Sequence, residues 1–166
     1  LYPTLPFESV ENPRMHEFII TLSDESFQKI ESIGISKAHI IARVGKLFLD
    51  FGYHAPTVAF PEVYGLMIEP TESFTKSQLD QFFEVLLNIS KIIESKPEIL
   101  KTVPHFTPIT RVDEIDANKR PNLCEELEDG IMFKNLDVPL IDKITPAMLK
   151  ELSMDQITEK IYSVIN

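Results

Sequence analysis

Three short segments carry residue types able to do chemistry. In Pro13-Arg14-Met15-His16-Glu17-Phe18, an imidazole and a carboxylate stand side by side at the start of an apolar, partly β-branched run. Consecutive strand residues point to opposite faces, so His16 and Glu17 do not form an acid–base dyad with each other. They read either as an ordinary edge-strand pair or, for His16, as a group reaching a ligand. In Asp50-Phe51-Gly52-Tyr53-His54-Ala55-Pro56-Thr57, a helix ends at a glycine and an aromatic, a histidine and a proline-fixed turn follow. His54 can serve a ligand as donor or acceptor, or simply tie the turn together. In Leu66-Met67-Ile68-Glu69-Pro70-Thr71-Glu72-Ser73, an apolar strand runs into a carboxylate and then into polar residues. Either this is a strand end followed by a capped helix entry, or Glu69 sits at the lip of a cleft, where strand-end carboxylates are commonly used.

Other chemistries lack their residues. The five glycines, Gly34, Gly45, Gly52, Gly65 and Gly130, do not cluster, so neither common phosphate-cradling loop is present. His16, His39, His54 and His105 show no metal-ligand spacing, and the single cysteine excludes a thiolate zinc site. No metal site is expected. Cys124 is followed by Glu125 and Glu126, whose charges disfavour a thiolate nucleophile. A Gly-x-Ser-x-Gly elbow is also missing.

These segments must be held by elements that the hydrophobic pattern locates. Residues 1–13 contain three prolines and no period, and read as an extended linker from something upstream. Met15–Leu22 predicts a strand. A short helix follows over Glu25–Ile33, capped by Ser23 or Asp24 and ended by Gly34. Ser36 caps a second helix, with Ile40, Ile41, Val44, Leu47, Phe48 and Phe51 on one stripe and Gly52 as its stop. Gly45 weakens this helix by about 1 kcal/mol relative to alanine, unless a neighbour packs tightly against it. Residues 53–63, with Pro56 and Pro61, are excluded from helix. Tyr64–Glu69 predicts a second strand. Thr75 and Gln78 form a capping box opening a long helix with Leu79, Phe82, Phe83, Leu86, Leu87, Ser90 and Ile93 on one face. Pro97 and Pro104 break what comes next, and Val112–Asn118 reads as a short helix or strand. From Asn122 to Thr145 no element is assigned; two short helices then follow, the second opened by the capping box Ser153–Gln156. The expected fold class is α/β of the α+β type: a small, mainly antiparallel sheet with helices on one face.

Size and charge narrow the setting. A chain of 166 residues with 43% hydrophobic and 25% charged residues suits one domain with a tail. The net charge of −10 repels phosphate backbones, so no nucleic-acid partner is expected. No run of about 18 apolar residues exists, so no membrane partner is expected either. One free cysteine fits a reducing, cytoplasmic compartment. Leu1–Pro6 lack the basic start and apolar stretch of a signal peptide, and suggest a chain that begins inside a longer protein. Glu125, Glu126, Glu128 and Asp129 form an acidic knot that reads as a solvated loop or as a docking patch for a basic partner.

The three segments, in this order, resemble one family: glycine dehydrogenase (decarboxylating), the P-protein of the glycine cleavage system, and in particular the end of its second subunit in two-subunit forms. His16-Glu17-Phe18 resembles that family's His-Glu-Phe strand. Asp50 to Thr57 resembles its Asp-Tyr-Gly-Phe-His-Ala-Pro-Thr, with Phe51 and Tyr53 exchanging the two aromatics. Leu66 to Ser73 resembles its Leu-Met-(Val/Ile)-Glu-Pro-Thr-Glu-Ser, Ser77 to Phe82 its helix start, and Val103-Pro104-His105 a later Pro-His turn. The resemblance runs from about Pro13 to Pro121. It divides the chain into a linker at 1–13, a small domain at 14–121, and an acidic loop and helical tail at 122–166.

The resemblance implies the small carboxy-terminal domain of a fold type I pyridoxal-phosphate enzyme. The family decarboxylates glycine and passes the aminomethyl group to the lipoyl arm of the H-protein. Its cofactor lysine lies in a His-Lys-Thr context before glycines. No His-Lys pair exists here, and Lys101-Thr102 leads into Val103-Pro104 instead. Pyridoxal phosphate is therefore expected in the complete enzyme and not on this chain, which should be inactive alone and carry no catalytic or cofactor-binding residue. The partners implied are an upstream large domain, P-protein subunit 1 and the lipoylated H-protein. His54, Thr57, Glu69 and Thr71, with His16 as a weaker candidate, are expected to line the substrate and lipoyl channel. The alternative is a stand-alone docking module derived from the same domain.

Overall fold

In a computed structural model of the chain, residues 2–3, 17–59, 64–107, 114–120 and 151–164 are described. The acidic knot, Cys124, His16 and the linker's remaining residues lie outside them.

Four antiparallel strands make the sheet: β1 (Tyr2–Pro3), β2 (Phe18–Thr21), β3 (Thr57–Ala59) and β4 (Gly65–Ile68), in the order β1-β2-β4-β3. Between β2 and β3 come helices α1 (Asp24–Ser32) and α2 (Lys37–Asp50). After β4 come α3 (Lys76–Ser95), a 3-10 turn at Pro97–Lys101, α4 (Glu114–Lys119) and α5 (Met154–Ser163). This is the α+β arrangement expected from the pattern. Tyr2–Pro3, which the sequence places in a linker, pairs with β2 through Tyr2↔Thr21 and Pro3↔Ile20.

The helices start where the sequence offers caps. The Ser23 hydroxyl accepts from the Ser26 amide at 3.1 Å. Both predicted capping boxes close: Gln78 Oε1 accepts from the Thr75 amide at 2.8 Å, and Gln156 Oε1 from the Ser153 amide at 2.8 Å. Gly34 and Gly52 end α1 and α2 with φ of 92° and 78°, a region open to glycine and strained for other residues.

Pairing fixes which face is buried. Ile20 and Leu66 are register partners and both are buried. Gly45 of α2 lies over this face, since a Cβ there would stand 3.7 Å from Leu66 Cδ2 and 3.6 Å from Ala55 Cβ. These are ordinary van der Waals distances, so the packing at Gly45 does not require a glycine. On the opposite face the pairs Ile19↔Met67 and Thr57↔Met67 align residues that are exposed or half-buried. Helices therefore cover the Ile20–Leu66 side. At β4 the backbones approach so closely that a Cβ on Gly65 would come within 2.5 Å of Ile19 Cγ2 and 2.6 Å of the Ile20 carbonyl oxygen. The core joins Phe27, Ile30, Ile40, Ile41, Val44, Leu47, Phe48, Val85, Ile89 and Ile92 to this sheet face. Ile99 and Leu100, on the 3-10 turn after Pro97, are wholly buried in it as well.

Candidate functional site

The site is assembled by strand register. Phe18 pairs with Ile68, and Thr57 pairs with Met67. The starts of β2 and β3 therefore lie beside the end of β4. The three sequence segments, which the linear reading treats separately, are brought to one end of the sheet: Glu17 before β2, His54 and Thr57 at the entry to β3, and Glu69 and Thr71 at the exit of β4. His16, one residue before Glu17, lies outside the described residues.

Each side chain is held by local structure. The end of α2 forms a Schellman motif: the Tyr53 amide donates to the Phe48 carbonyl at 3.0 Å and the Gly52 amide to the Leu49 carbonyl at 3.0 Å. Rings of Phe48 and Tyr53 both pack on Phe82 of α3, with centroids 5.8 and 5.5 Å away. This fixes where the chain leaves α2. His54 is exposed, and its Nδ1 lies 2.8 Å from the Ala55 carbonyl oxygen. In the tautomer that donates from Nδ1, the lone pair resides on Nε2 of an exposed ring. The turn-tying role and a ligand-facing role are therefore compatible in one side chain. Thr57 is exposed at the first position of β3. Glu69 is exposed one residue past β4. Thr71 is half-buried; its hydroxyl and that of Ser73 are 2.6 Å apart, and its carbonyl accepts from the Phe74 amide at 3.2 Å, just before the Thr75 cap of α3.

Beside His54, burial first and the Glu84 carboxylate second push the Tyr53 phenol above its ordinary pKa. Deeper still, Asp50, the last residue of α2, is wholly buried. Its Oδ1 accepts from the backbone amides of His105 and Phe106 at 2.6 and 2.9 Å, and its Oδ2 from His105 Nδ1 at 2.7 Å. His105 Nε2 in turn lies 2.9 Å from the Thr102 hydroxyl. The sequence reading named neither Asp50 nor His105 as functionally placed. Their only signal is two polar residues in otherwise apolar surroundings, and nothing local pairs them.

The described residues contain no group of three or more His, Cys, Asp or Glu able to hold a metal. Nor do they fit an aldehyde cofactor. A lysine that anchors such a group is kept desolvated to lower its pKa, and every described lysine is exposed or half-buried. Lys29 donates to the Glu94 carbonyl, Lys76 pairs with Asp80, and Lys37 lies over the rings of Phe27 and Tyr64. No helix among the described residues is long and apolar enough to cross a membrane.

Comparison with known proteins places this chain in a family. The family model described as "Glycine dehydrogenase, C-terminal domain" matches residues 2–105. The match starts before the point at which the sequence motifs alone begin, and stops at His105. Among curated relatives, a probable glycine dehydrogenase (decarboxylating) subunit 2 of Pseudothermotoga lettingae is 42% identical over 109 residues, covering 64% of this chain and 21% of the relative. The protein of the same description from Pyrococcus horikoshii is 50% identical over 80 residues, 47% of this chain and 16% of the relative. That from Aquifex aeolicus is 37% identical over 121 residues, 72% and 23% respectively. The chain thus spans about a fifth of the length of the curated relatives it matches. No solved structure matches.

Proposed function

The chain belongs to the family of glycine dehydrogenase C-terminal domains, and on that premise we propose that it is the small domain of a glycine-decarboxylating enzyme whose cofactor is held elsewhere. The sheet end carrying His54, Thr57, Glu69 and Thr71 forms one wall of the channel for glycine and the lipoyl arm. His16, outside the described residues, is a weaker candidate for the same channel. The observation that carries this reading is the register: Phe18↔Ile68 and Thr57↔Met67 gather the family-like segments at one place.

In this reading the chain supplies position rather than the reacting group. The complete enzyme uses pyridoxal phosphate as its electron sink, bound by a large domain upstream of the segment matched here. Subunit 1 and a lipoylated H-protein complete the cytoplasmic assembly. Exposed His54 and Glu69 orient the substrate or the lipoyl arm, and the wall keeps water from the reacting centre. Positioning of this kind is worth several kcal/mol of barrier, on the order of 2–5. The chain alone is inactive in this reading, because no lysine among the described residues is suited to the cofactor and no His-Lys pair occurs in the sequence.

The test uses the complete enzyme. His54→Ala and Glu69→Ala are assayed for exchange of the glycine carboxyl group with bicarbonate and for glycine affinity. The expected result is a loss of about tenfold to a hundredfold in exchange. Wild-type exchange with wild-type affinity in both variants removes these residues from the channel. A docking-module reading is favoured by one feature, the exposed apolar row Leu79, Phe83 and Leu87 on α3. Carbon dioxide release from glycine by the complete enzyme, but not by a version lacking this domain, decides for the enzyme part.

A further inference from the structure

The family match ends at residue 105, yet α5, at Met154–Ser163, is part of the packed fold. Ile157 and Ile161, one helical turn apart, are wholly buried in the same core as α3. Thr158 Oγ1 lies 3.2 Å from Asn88 Oδ1, and Tyr162 Oη lies 2.7 Å from Ser95 Oγ. Asn88 and Ser95 are seven residues apart and Thr158 and Tyr162 four, so α5 runs along α3 in the same direction. Ile92 falls on that stripe of α3 between the two polar ties.

Three of the four side chains in these polar ties, Asn88, Thr158 and Ser95, also bond within their own helix. Asn88 Nδ2 donates to the Glu84 carbonyl at 3.0 Å, and Thr158 Oγ1 lies 2.9 Å from the Met154 carbonyl. Ser95 Oγ donates to the Lys91 carbonyl at 2.6 Å. Separation of the two helices therefore leaves Thr158 Oγ1 and Ser95 Oγ with an in-helix partner, while Asn88 Oδ1 and Tyr162 Oη exchange theirs for water at the opened surface; a buried orphan is what makes breaking a polar contact costly. The start of α5 is equally self-contained, since its capping box is made entirely by Ser153 and Gln156. The turn at 105–106 behaves in the opposite way. Pulling it from Asp50 would strand a buried carboxylate and two buried amides.

We infer that α5 is a strap: a helix outside the family domain that closes over the Asn88–Ile92–Ser95 stripe of α3 and opens as a unit while the rest of the domain stays folded. Opening gives up the inter-helix ties, keeps the in-helix ones and bares a stripe of α3 with Ile92 at its centre. The inference goes beyond the proposed function and does not depend on it.

Native-state amide hydrogen exchange on the full chain tests this. The amides of α5 should exchange faster than those of α2 around Val44–Phe48. Ile161→Ala should speed α5 exchange by roughly 30-fold or more, leaving α2 exchange at its wild-type rate. Tyr162→Ala, a half-buried position, repeats the measurement with a smaller perturbation in case the first variant does not fold. Equal protection of α5 and α2 in the wild-type chain, or parallel acceleration of both helices in either variant, overturns the strap and makes α5 part of a single cooperative unit.

Discussion

Asp50 and His105, 55 residues apart in sequence, meet in the core with Oδ2 and Nδ1 2.7 Å apart and both side chains essentially inaccessible to solvent. The carboxylate also receives the amides of His105 and Phe106, so one side chain joins the end of α2 to the turn that closes the family domain. It stands four residues before His54, and thus anchors the exit path on which the candidate site depends.

Removing that carboxylate should be costly. Asp50→Ala leaves two buried amides and an imidazole N–H without their acceptor, and is expected to lower stability by about 3–5 kcal/mol. Asp50→Asn keeps one oxygen for the two amides and should lose about half as much. Urea unfolding followed by circular dichroism measures both. Equal stability of Asp50→Ala and wild type would show that the network contributes nothing.

Two glycines should respond oppositely to the same substitution. At Gly45 an added methyl meets Ala55 and Leu66 at ordinary contact distances, so Gly45→Ala should gain up to about 1 kcal/mol of helix stability. At Gly65 the same methyl collides with Ile19 and with the Ile20 backbone. Gly65→Ala should lose about 1–3 kcal/mol by overpacking. Thermal melts of the two variants should move in opposite directions.

Alkaline titration should single out Tyr53. Burial and Glu84 hold its phenol protonated in the folded state at a pH where the unfolded chain would already ionise. Between the unfolded and folded pKa values the folded state binds more protons, so this contribution is full below the unfolded value and is lost as pH rises through the folded one. Phenolate absorbance should show one tyrosine titrating late, and Tyr53→Phe should remove that component. A uniform titration in the wild-type chain would contradict the assignment.

Leu79, Phe83 and Leu87 follow one another at successive turns of α3, and Phe83 is 59% exposed. Such a row favours self-association of the isolated chain. Phe83→Glu should shift sedimentation toward the monomer at high concentration while moving the melting temperature by less than about 2 °C, because little burial is lost. Unchanged sedimentation would mean that the row is not adhesive.

Much of the fold is legible locally. The caps at Ser23, Thr75 and Ser153 and the stops at Gly34 and Gly52 need only a few neighbouring residues, and each appears where the sequence places it. Elements set by distant partners are not legible. Strand β3 is three residues between prolines, and only its pairing with β4 defines it. Pro97 reads as a break, yet it opens a 3-10 turn that buries Ile99 and Leu100, a tertiary effect without a periodic signal. The segments of the candidate site are visible individually through residue type. Their convergence is not, because register is a relation between strands that the linear order does not state. The pairing of Asp50 with His105 escapes for the same reason.

The sheet closes with two abbreviated edges. β1 is two residues long and includes Pro3, while β3 is three residues long and follows Pro56. Among the described residues, neither border offers another polypeptide a long uninterrupted ladder of free amides and carbonyls. Short, proline-marked edges of this kind discourage fibril-like growth by strand addition.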